Sequence, residues 1–312
     1  MTLDVAVTGK VSDLGASEFS SRIMTNGLGI RIGPFNAHIR VPIPAIQQAL
    51  YCLYSDYPLQ DLNSVFSFHA HLARTRKFPR LYRPLVRFSI DGRVPHEDMP
   101  LEQALPVLEW GMNLVIAMRS HCFLLLHAAV LEKRGYAILL PAAPGMGKTT
   151  LCSALAHRGW RLLSDEFGMI RPGTEELVPV PRPMALKNDS INVLRTFAPD
   201  AVISPPVQNT RKGTVAHVKP PEDSVQKQSI TARAKWIVFP RWQADAGLSL
   251  EPLSRSQGFM MLAMNAFNYD LIGESAFRTV SKVVSASNCY RLVYSDLDEA
   301  IVCIDQLANN DG

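Results

Sequence analysis

Two clusters of residues in this chain have types and spacings that suit chemistry on phosphate. The first is Ala142-Ala143-Pro144-Gly145-Met146-Gly147-Lys148-Thr149, which has the Walker A spacing, with Ala142 where the usual pattern begins with Gly. Ala143, Pro144, Gly145, Met146, Gly147, Lys148, Thr149 and Thr150 would then wrap the phosphates of a nucleotide. Gly145 and Gly147 let backbone N–H groups face the phosphates, and the helix expected after them adds its N-terminal field. Lys148 would bridge the β- and γ-phosphates of ATP, and the Thr149 hydroxyl would ligate Mg²⁺.

The second cluster is the acidic pair Asp165 and Glu166, which begins seventeen residues after Lys148. Asp165 ends the apolar run Leu162 and Leu163, where a carboxylate can reach the metal directly or through water. Neighbours in a strand point to opposite sides, so the two acids take different roles unless the chain turns there. His127 stands amid Leu124, Leu125, Leu126 and Ala128, where a charged imidazole is costly to bury alone. It is either a core histidine or, because the chain doubles back to the phosphate loop, a group beside the nucleotide. The candidate catalytic set is His127, Lys148, Asp165 and Glu166, with Thr149 and Asp165 at the metal.

The elements that must position these groups are legible from periodicity. Phe123 to Leu131 and Tyr136 to Leu140 read as buried strands joined by a turn at Lys133, Arg134 and Gly135. A helix from Leu151 to Arg158, ended by Gly159, and a strand from Arg161 to Ser164 lead into the acidic pair. Phe167 to Ile170 returns outward, Ala234 to Phe239 is a strand, and Gln257 to Phe267 and Leu297 to Leu307 are helical. Before the loop, a strand pair spans Gly29 to Val41 and turns at Gly33 and Pro34. A short helix covers Ala45 to Tyr54, and strands cover Val65 to Leu72 and Leu85 to Ile90. Leu101 to Met118 is the longest helical pattern and joins the two parts. Pro-rich stretches at Val178 to Pro183, Ser204 to Pro206 and Lys219 to Pro221 predict long loops.

The chain has 312 residues, 47% hydrophobic and 19% charged, which fits a globular α/β protein and excludes a fibrous or disordered one. A net charge of +4 is too small to argue for nucleic acid or membrane binding. One basic strip stands out: Arg74, Arg76, Lys77, Arg80, Arg83 and Arg87, which either meets an acidic partner or is a solvated face. The cysteines Cys52, Cys122, Cys152, Cys289 and Cys303 are odd in number and scattered, which predicts reduced thiols in a cytoplasmic protein. Met1 to Ser12 lacks a continuous apolar stretch, so no secretory signal is expected, and no apolar run approaches the roughly 18 residues of a membrane span.

The assembled segment, from Leu126-His127-Ala128-Ala129 through Pro144-Gly145-Met146-Gly147-Lys148-Thr149-Thr150 to Arg158-Gly159-Trp160-Arg161-Leu162-Leu163-Ser164-Asp165-Glu166, resembles the catalytic domain of HPr kinase/phosphorylase. It is most similar to the HPr kinase-related proteins. The 21-residue spacing from His127 to Lys148, and that from Lys148 to the acidic pair, match without a gap. Glu109-Trp110-Gly111-Met112-Asn113, Pro181-Arg182-Pro183 with Lys187, Gly213-Thr214-Val215-Ala216-His217 and Phe239-Pro240-Arg241 look like the related subgroup as well.

The resemblance implies an α/β P-loop kinase of the HPr kinase or phosphoenolpyruvate-carboxykinase-like type. A mostly β N-terminal portion over 1–106 would precede a kinase domain over 107–312. It implies ATP and Mg²⁺, and a base at the second acidic position. Glu166 stands there in place of the family's aspartate, which leaves the base open between Asp165 and Glu166. The family's histidine is matched by His127. Arg182-Pro183-Met184-Ala185-Leu186-Lys187 stands where the bifunctional enzymes carry an acid-bearing signature, so a kinase without phosphorylase activity is implied. Arg182, Lys187, Lys212, His217 and Arg241 either contact phosphates and substrate or are ordinary surface residues.

The expected function is transfer of the γ-phosphate to a serine or threonine hydroxyl of a peptide or small protein. The resemblance associates it with a PqqD-like peptide-binding partner; charge and hydropathy point to neither nucleic acid nor membrane, and a homo-oligomer is compatible. The N-terminal portion and the basic strip would help to hold the acceptor, along with long loops at Pro179 to Lys187 and Thr210 to Pro221. A small-molecule kinase of amino-acid type and a nucleotide-dependent binding module without transfer are the alternatives.

Overall fold

The computed structural model describes residues 9–75 and 84–310. It is a mixed α/β structure, with three sheets and ten α-helices among the described residues. Contacts divide the chain into two units. One comprises Met1–Arg119, Ala185–Ile191 and Val202–Gln226, and the other Ser120–Met184, Asn192–Ala201 and Lys227–Gly312.

The first unit opens with α1 (Gly15–Met24), β1 (Leu28–Ile32), β2 (Phe35–Arg40), α2 (Gln47–Tyr54), β3 (Leu59–Gln60), β4 (Phe68–Arg74), β5 (Leu85–Ile90), β6 (Met99–Pro100) and α3 (Ala104–Arg119). The strands form a six-stranded sheet in the order β3-β1-β2-β4-β5-β6. Period-two alternation puts Ile30, Ala37, Ile39, Phe68, Ala70, Leu72, Val86 and Phe88 in the core. Helix α3 packs against β4 and β5 and buries Leu105, Leu108, Met112, Val115 and Ile116. That packing keeps α3 whole within the first unit, whose first segment runs to Arg119.

In the second unit, β7 (Leu124–Lys133) and β8 (Tyr136–Pro141) form a hairpin, followed by α4 (Lys148–Ala156), β9 (Arg161–Ser164), β10 (Phe167–Ile170) and β11 (Glu176–Leu177). The hairpin turn places Arg134 and Gly135 at φ 56 and 85°, the left-handed pair that a tight two-residue hairpin turn requires. After β12 (Met184–Lys187), α5 (Ser190–Phe197), β13 (Val207–Thr210), β14 (Gly213–Val218) and α6 (Glu222–Gln226), the chain continues through β15 (Ala232–Trp242), β16 (Ser249–Leu253), α7 (Arg255–Met264), α8 (Tyr269–Ile272), α9 (Glu274–Ser285), β17 (Asn288–Tyr294) and α10 (Leu297–Asn310). The large sheet has the order β11-β10-β7-β8-β15-β17-β16, with β9 also paired to β7; β15 runs parallel to both β8 and β17. A third, small sheet has the order β12-β14-β13.

Several sequence expectations are corrected. Thr210 to Pro221 is not a long loop, because β13 and β14 pair as a hairpin across Thr210 and Gly213. Val178 to Pro183 has no regular structure, yet it is buried throughout; Val178 and Val180 donate backbone hydrogen bonds to Met169 and Leu163. The first third contains α1, which alternation of apolar residues did not disclose. Within the basic strip, Arg76, Lys77, Arg80 and Arg83 lie outside the described residues. Arg74 is exposed, whereas the charge of Arg87 is already matched by Asp98 at 2.7 Å.

Gly111 on α3 has no room for a side chain, because a Cβ there overlaps the ring of Phe88 on β5. Gly111→Ala is therefore expected to destabilise the chain by about 1–3 kcal/mol through overpacking. Urea unfolding of this variant, of Phe88→Leu and of the double variant checks it: the Phe88 change should recover part of the Gly111→Ala loss.

Candidate active site

Every group of the candidate site that lies in the second unit is placed by the strand ends around β8. Strand β8 ends at Pro141, and the loop from Ala142 to Gly147 delivers the chain into α4, which starts at Lys148. The first turn of any helix leaves N–H groups without intrahelical partners, and here that end faces out of the loop. Gly145 and Gly147 have φ of 87 and 83°. Their surroundings differ. A Cβ on Gly145 meets nothing within 4 Å, whereas one on Gly147 lies 2.7 Å from Tyr294 Oη and 2.8 Å from Trp242 Cβ.

The loop is thus wedged against the ends of the two strands beyond β8. The Trp242 backbone N–H donates to the Met146 carbonyl at 3.0 Å, and Tyr294 Oη donates to the Gly147 carbonyl at 3.3 Å. Burial pushes the Tyr294 hydroxyl well above its ordinary pKa, so it stays a protonated donor.

Lys148 is buried, with Nζ donating to the backbone carbonyl of Asp165 at 3.0 Å. Asp165 and Glu166 form a bend between β9 and β10. Both flanking strands pair with β7: Ser164 stands opposite Val130 and Phe167 opposite His127, so the register carries through the two acids with no residue inserted. The bend sends their side chains into different surroundings. Both carboxylate oxygens of Asp165 are buried, in the neighbourhood of the fully buried Cys152. Burial, and after it the Asp165 charge, push the Cys152 thiol well above its ordinary range. Glu166 remains partly exposed, and its Oε2 lies 3.8 Å from both Lys148 Nζ and His127 Nε2, within ion-pair range but beyond a direct hydrogen bond.

His127 is not a sealed core residue: its side chain is 23% exposed. It is anchored through its backbone N–H, which donates to Asn265 at 2.7 Å, and its ring lies 5.4 Å from that of Phe267. Phe267 also meets Phe167, the cross-strand neighbour of His127, at 5.6 Å.

The structure therefore brings His127, Lys148 and Glu166 together and turns the Asp165 carboxylate inward. Ala143, Pro144, Gly145 and Met146 are exposed, and Thr149 and Thr150 are partly exposed on the first turn of α4. Among the described residues no group of three or more His, Cys, Asp or Glu side chains is arranged to hold a metal. A Mg²⁺ ion that arrives with a nucleotide needs only one or two protein oxygens, and Thr149 offers a hydroxyl at the helix start. Arg182 and His217 are buried and are not surface residues, while Lys187 is half-buried and Arg241 and Lys212 are exposed. Lys187, Lys212 and His217 belong to the first unit, where the Lys212 ammonium sits 5.4 Å from the centre of the Trp110 ring.

Sequence reasoning missed Cys152, Trp242 and Tyr294. Cys152 follows Lys148 by one helical turn, a spacing that puts both on one face. The run Cys289 to Tyr294, set between Asn288 and Ser295, carries the strand signal that would have delivered Tyr294. No protein-family model matches the chain, and a comparison with curated proteins gives no match either. What these residues can do accordingly rests on their own geometry.

Two outcomes are expected. Gly147→Ala should cost about 2–4 kcal/mol in urea unfolding, from left-handed strain plus overlap with Tyr294 and Trp242, whereas Gly145→Ala should cost only about 1 kcal/mol. Iodoacetamide at pH 8, followed by peptide mapping, should label the exposed Cys122 and spare Cys152 in the native protein; equal labelling would contradict the burial of Cys152.

Proposed function

We propose that this chain is an ATP-dependent phosphotransferase of the P-loop kinase type, which moves the γ-phosphoryl group to a serine or threonine hydroxyl of a peptide or small protein. The observation that carries the reading is Glu166 Oε2 standing 3.8 Å from both Lys148 Nζ and His127 Nε2 beside a glycine loop with left-handed turns. A carboxylate so placed can take a proton beside a lysine that offsets phosphate charge.

In the reaction, the acceptor hydroxyl gives its proton to Glu166 as its oxygen bonds to the γ-phosphorus. The bond from that phosphorus to the β–γ bridging oxygen breaks, and ADP leaves with the electron pair. Lys148 offsets the charge on the phosphoryl oxygens, and His127 orients Glu166. Asp165 contributes by structure: its backbone carbonyl holds Lys148 while its carboxylate is enclosed. Mg²⁺, held by Thr149 and phosphate oxygens, would neutralise phosphate charge. Glu166 is the base in this reading because its side chain is 29% exposed, whereas both Asp165 oxygens are buried.

A polypeptide acceptor is favoured by the surface next to His127. Phe267 touches that imidazole while 57% exposed, and Met264 nearby in the chain is 82% exposed, so residues flanking the hydroxyl meet an apolar wall. Delivery of the acceptor by a PqqD-like peptide-binding protein in the cytoplasm belongs to the same proposal. No helix among the described residues is long and apolar enough to cross a membrane.

The test follows γ-labelled ATP with Mg²⁺ and candidate peptides. Lys148→Ala should abolish transfer, Glu166→Gln should lower turnover about 10²- to 10⁴-fold at unchanged ATP affinity, and Thr149→Val should raise the Mg²⁺ midpoint. Label on a small molecule would replace the acceptor class, and ATP binding without transfer would leave a binding module. A Glu166→Gln protein that turns over normally but needs more Mg²⁺ would reverse the roles of the two acids.

A further inference from the structure

Trp242 is the most exposed of the four tryptophans. It is 49% open to solvent, whereas Trp160 and Trp236 are 1% and 2% open and Trp110 is half-buried. Exposed as it is, its ring is not loose. The backbone N–H holds the Met146 carbonyl at 3.0 Å, and Nε1 donates to the Ser295 carbonyl at 3.1 Å, so the residue is fixed at both ends. The chain behind it is pinned as well: the Gln243 N–H donates to Tyr294 at 3.0 Å and Ser295 Oγ to Ala246 at 2.7 Å. The result is an aromatic surface held rigid at the lip of the phosphate loop, and rigid placement is what a binding platform needs.

Its side of the loop matters. In the sheet order β10-β7-β8-β15-β17, Glu166 and His127 lie on the β7 and β10 side of the loop, and Trp242 ends β15 on the other. A nucleotide whose γ-phosphate meets Glu166 must direct its nucleoside away from β7, across the carboxyl ends of β15 and β17. Open parallel sheets take ligands at those ends.

We propose that the Trp242 indole is the stacking platform for the base of the bound nucleoside triphosphate. The inference rests on the nucleotide reading above and adds where the base lies and which residue holds it. Stacking uses the π-face that every base has, and the exposed indole supplies a matching face without any new hydrogen-bond donor.

The experiment compares MgATP with magnesium tripolyphosphate, which keeps the phosphates and lacks the base, by calorimetric titration of wild type, Trp242→Phe and Trp242→Leu. Trp242→Leu should weaken MgATP binding roughly tenfold, within the range measured when base-stacking aromatics are removed, and leave tripolyphosphate binding within about twofold. Trp242→Phe should recover most of the loss, because a ring remains. Unchanged tripolyphosphate binding also shows that the loop is intact in each variant. MgATP affinity equal in wild type and Trp242→Leu, or an equal loss in the Phe and Leu variants, overturns the platform while leaving the phosphate loop standing. If wild type binds neither ligand, the nucleotide reading falls and the platform with it.

Discussion

The wedging of Gly147 between Tyr294 and Trp242 is the constraint on which the candidate site depends. A left-handed residue without a Cβ at the start of α4 lets the loop close down on the ends of β15 and β17. Two hydrogen bonds from those strands, to the carbonyls of Met146 and Gly147, then hold the loop's acceptors inward. With these two carbonyls occupied, the loop is held in place at the start of α4, whose first N–H groups have no intrahelical partners. The parallel order of β8, β15 and β17 is needed for this, because only parallel neighbours end at the same edge as the loop.

On the other side of β8 the requirement is different. Two adjacent acids must face opposite surroundings without breaking the ladder that carries His127. The bend between β9 and β10 meets this by keeping the register on β7 unchanged across Asp165 and Glu166. One carboxylate is then enclosed and the other opens beside Lys148 and His127. Lys148 couples the two halves, since its ammonium reaches the Asp165 carbonyl from the helix that the loop initiates.

The surface around this centre is uneven in chemistry. Near His127 it is apolar, with Phe267 and Met264 exposed, while the loop lip carries Trp242 and the exposed Arg241. One side is thus built from flexible apolar side chains, and the other from an aromatic ring held at both ends beside a cation.

The sequence by itself determined the parts of this protein whose signals are local. The β7–β8 hairpin, the glycine loop with its following helix, and the strand into Asp165 and Glu166 were legible because apolar runs, an Arg-Gly turn and fixed glycine spacing are properties of contiguous residues. Lys148 and the acidic pair could be named as candidates for the same reason. Tertiary structure alone decided that Trp242 and Tyr294, roughly a hundred residues or more beyond the loop, brace it, and that α3 stays with the first sheet. It also decided which acid is enclosed. Asp165 and Glu166 are neighbours of nearly equal chemistry, and only the bend after the chain has folded back separates them, burying one carboxylate and leaving the other partly exposed.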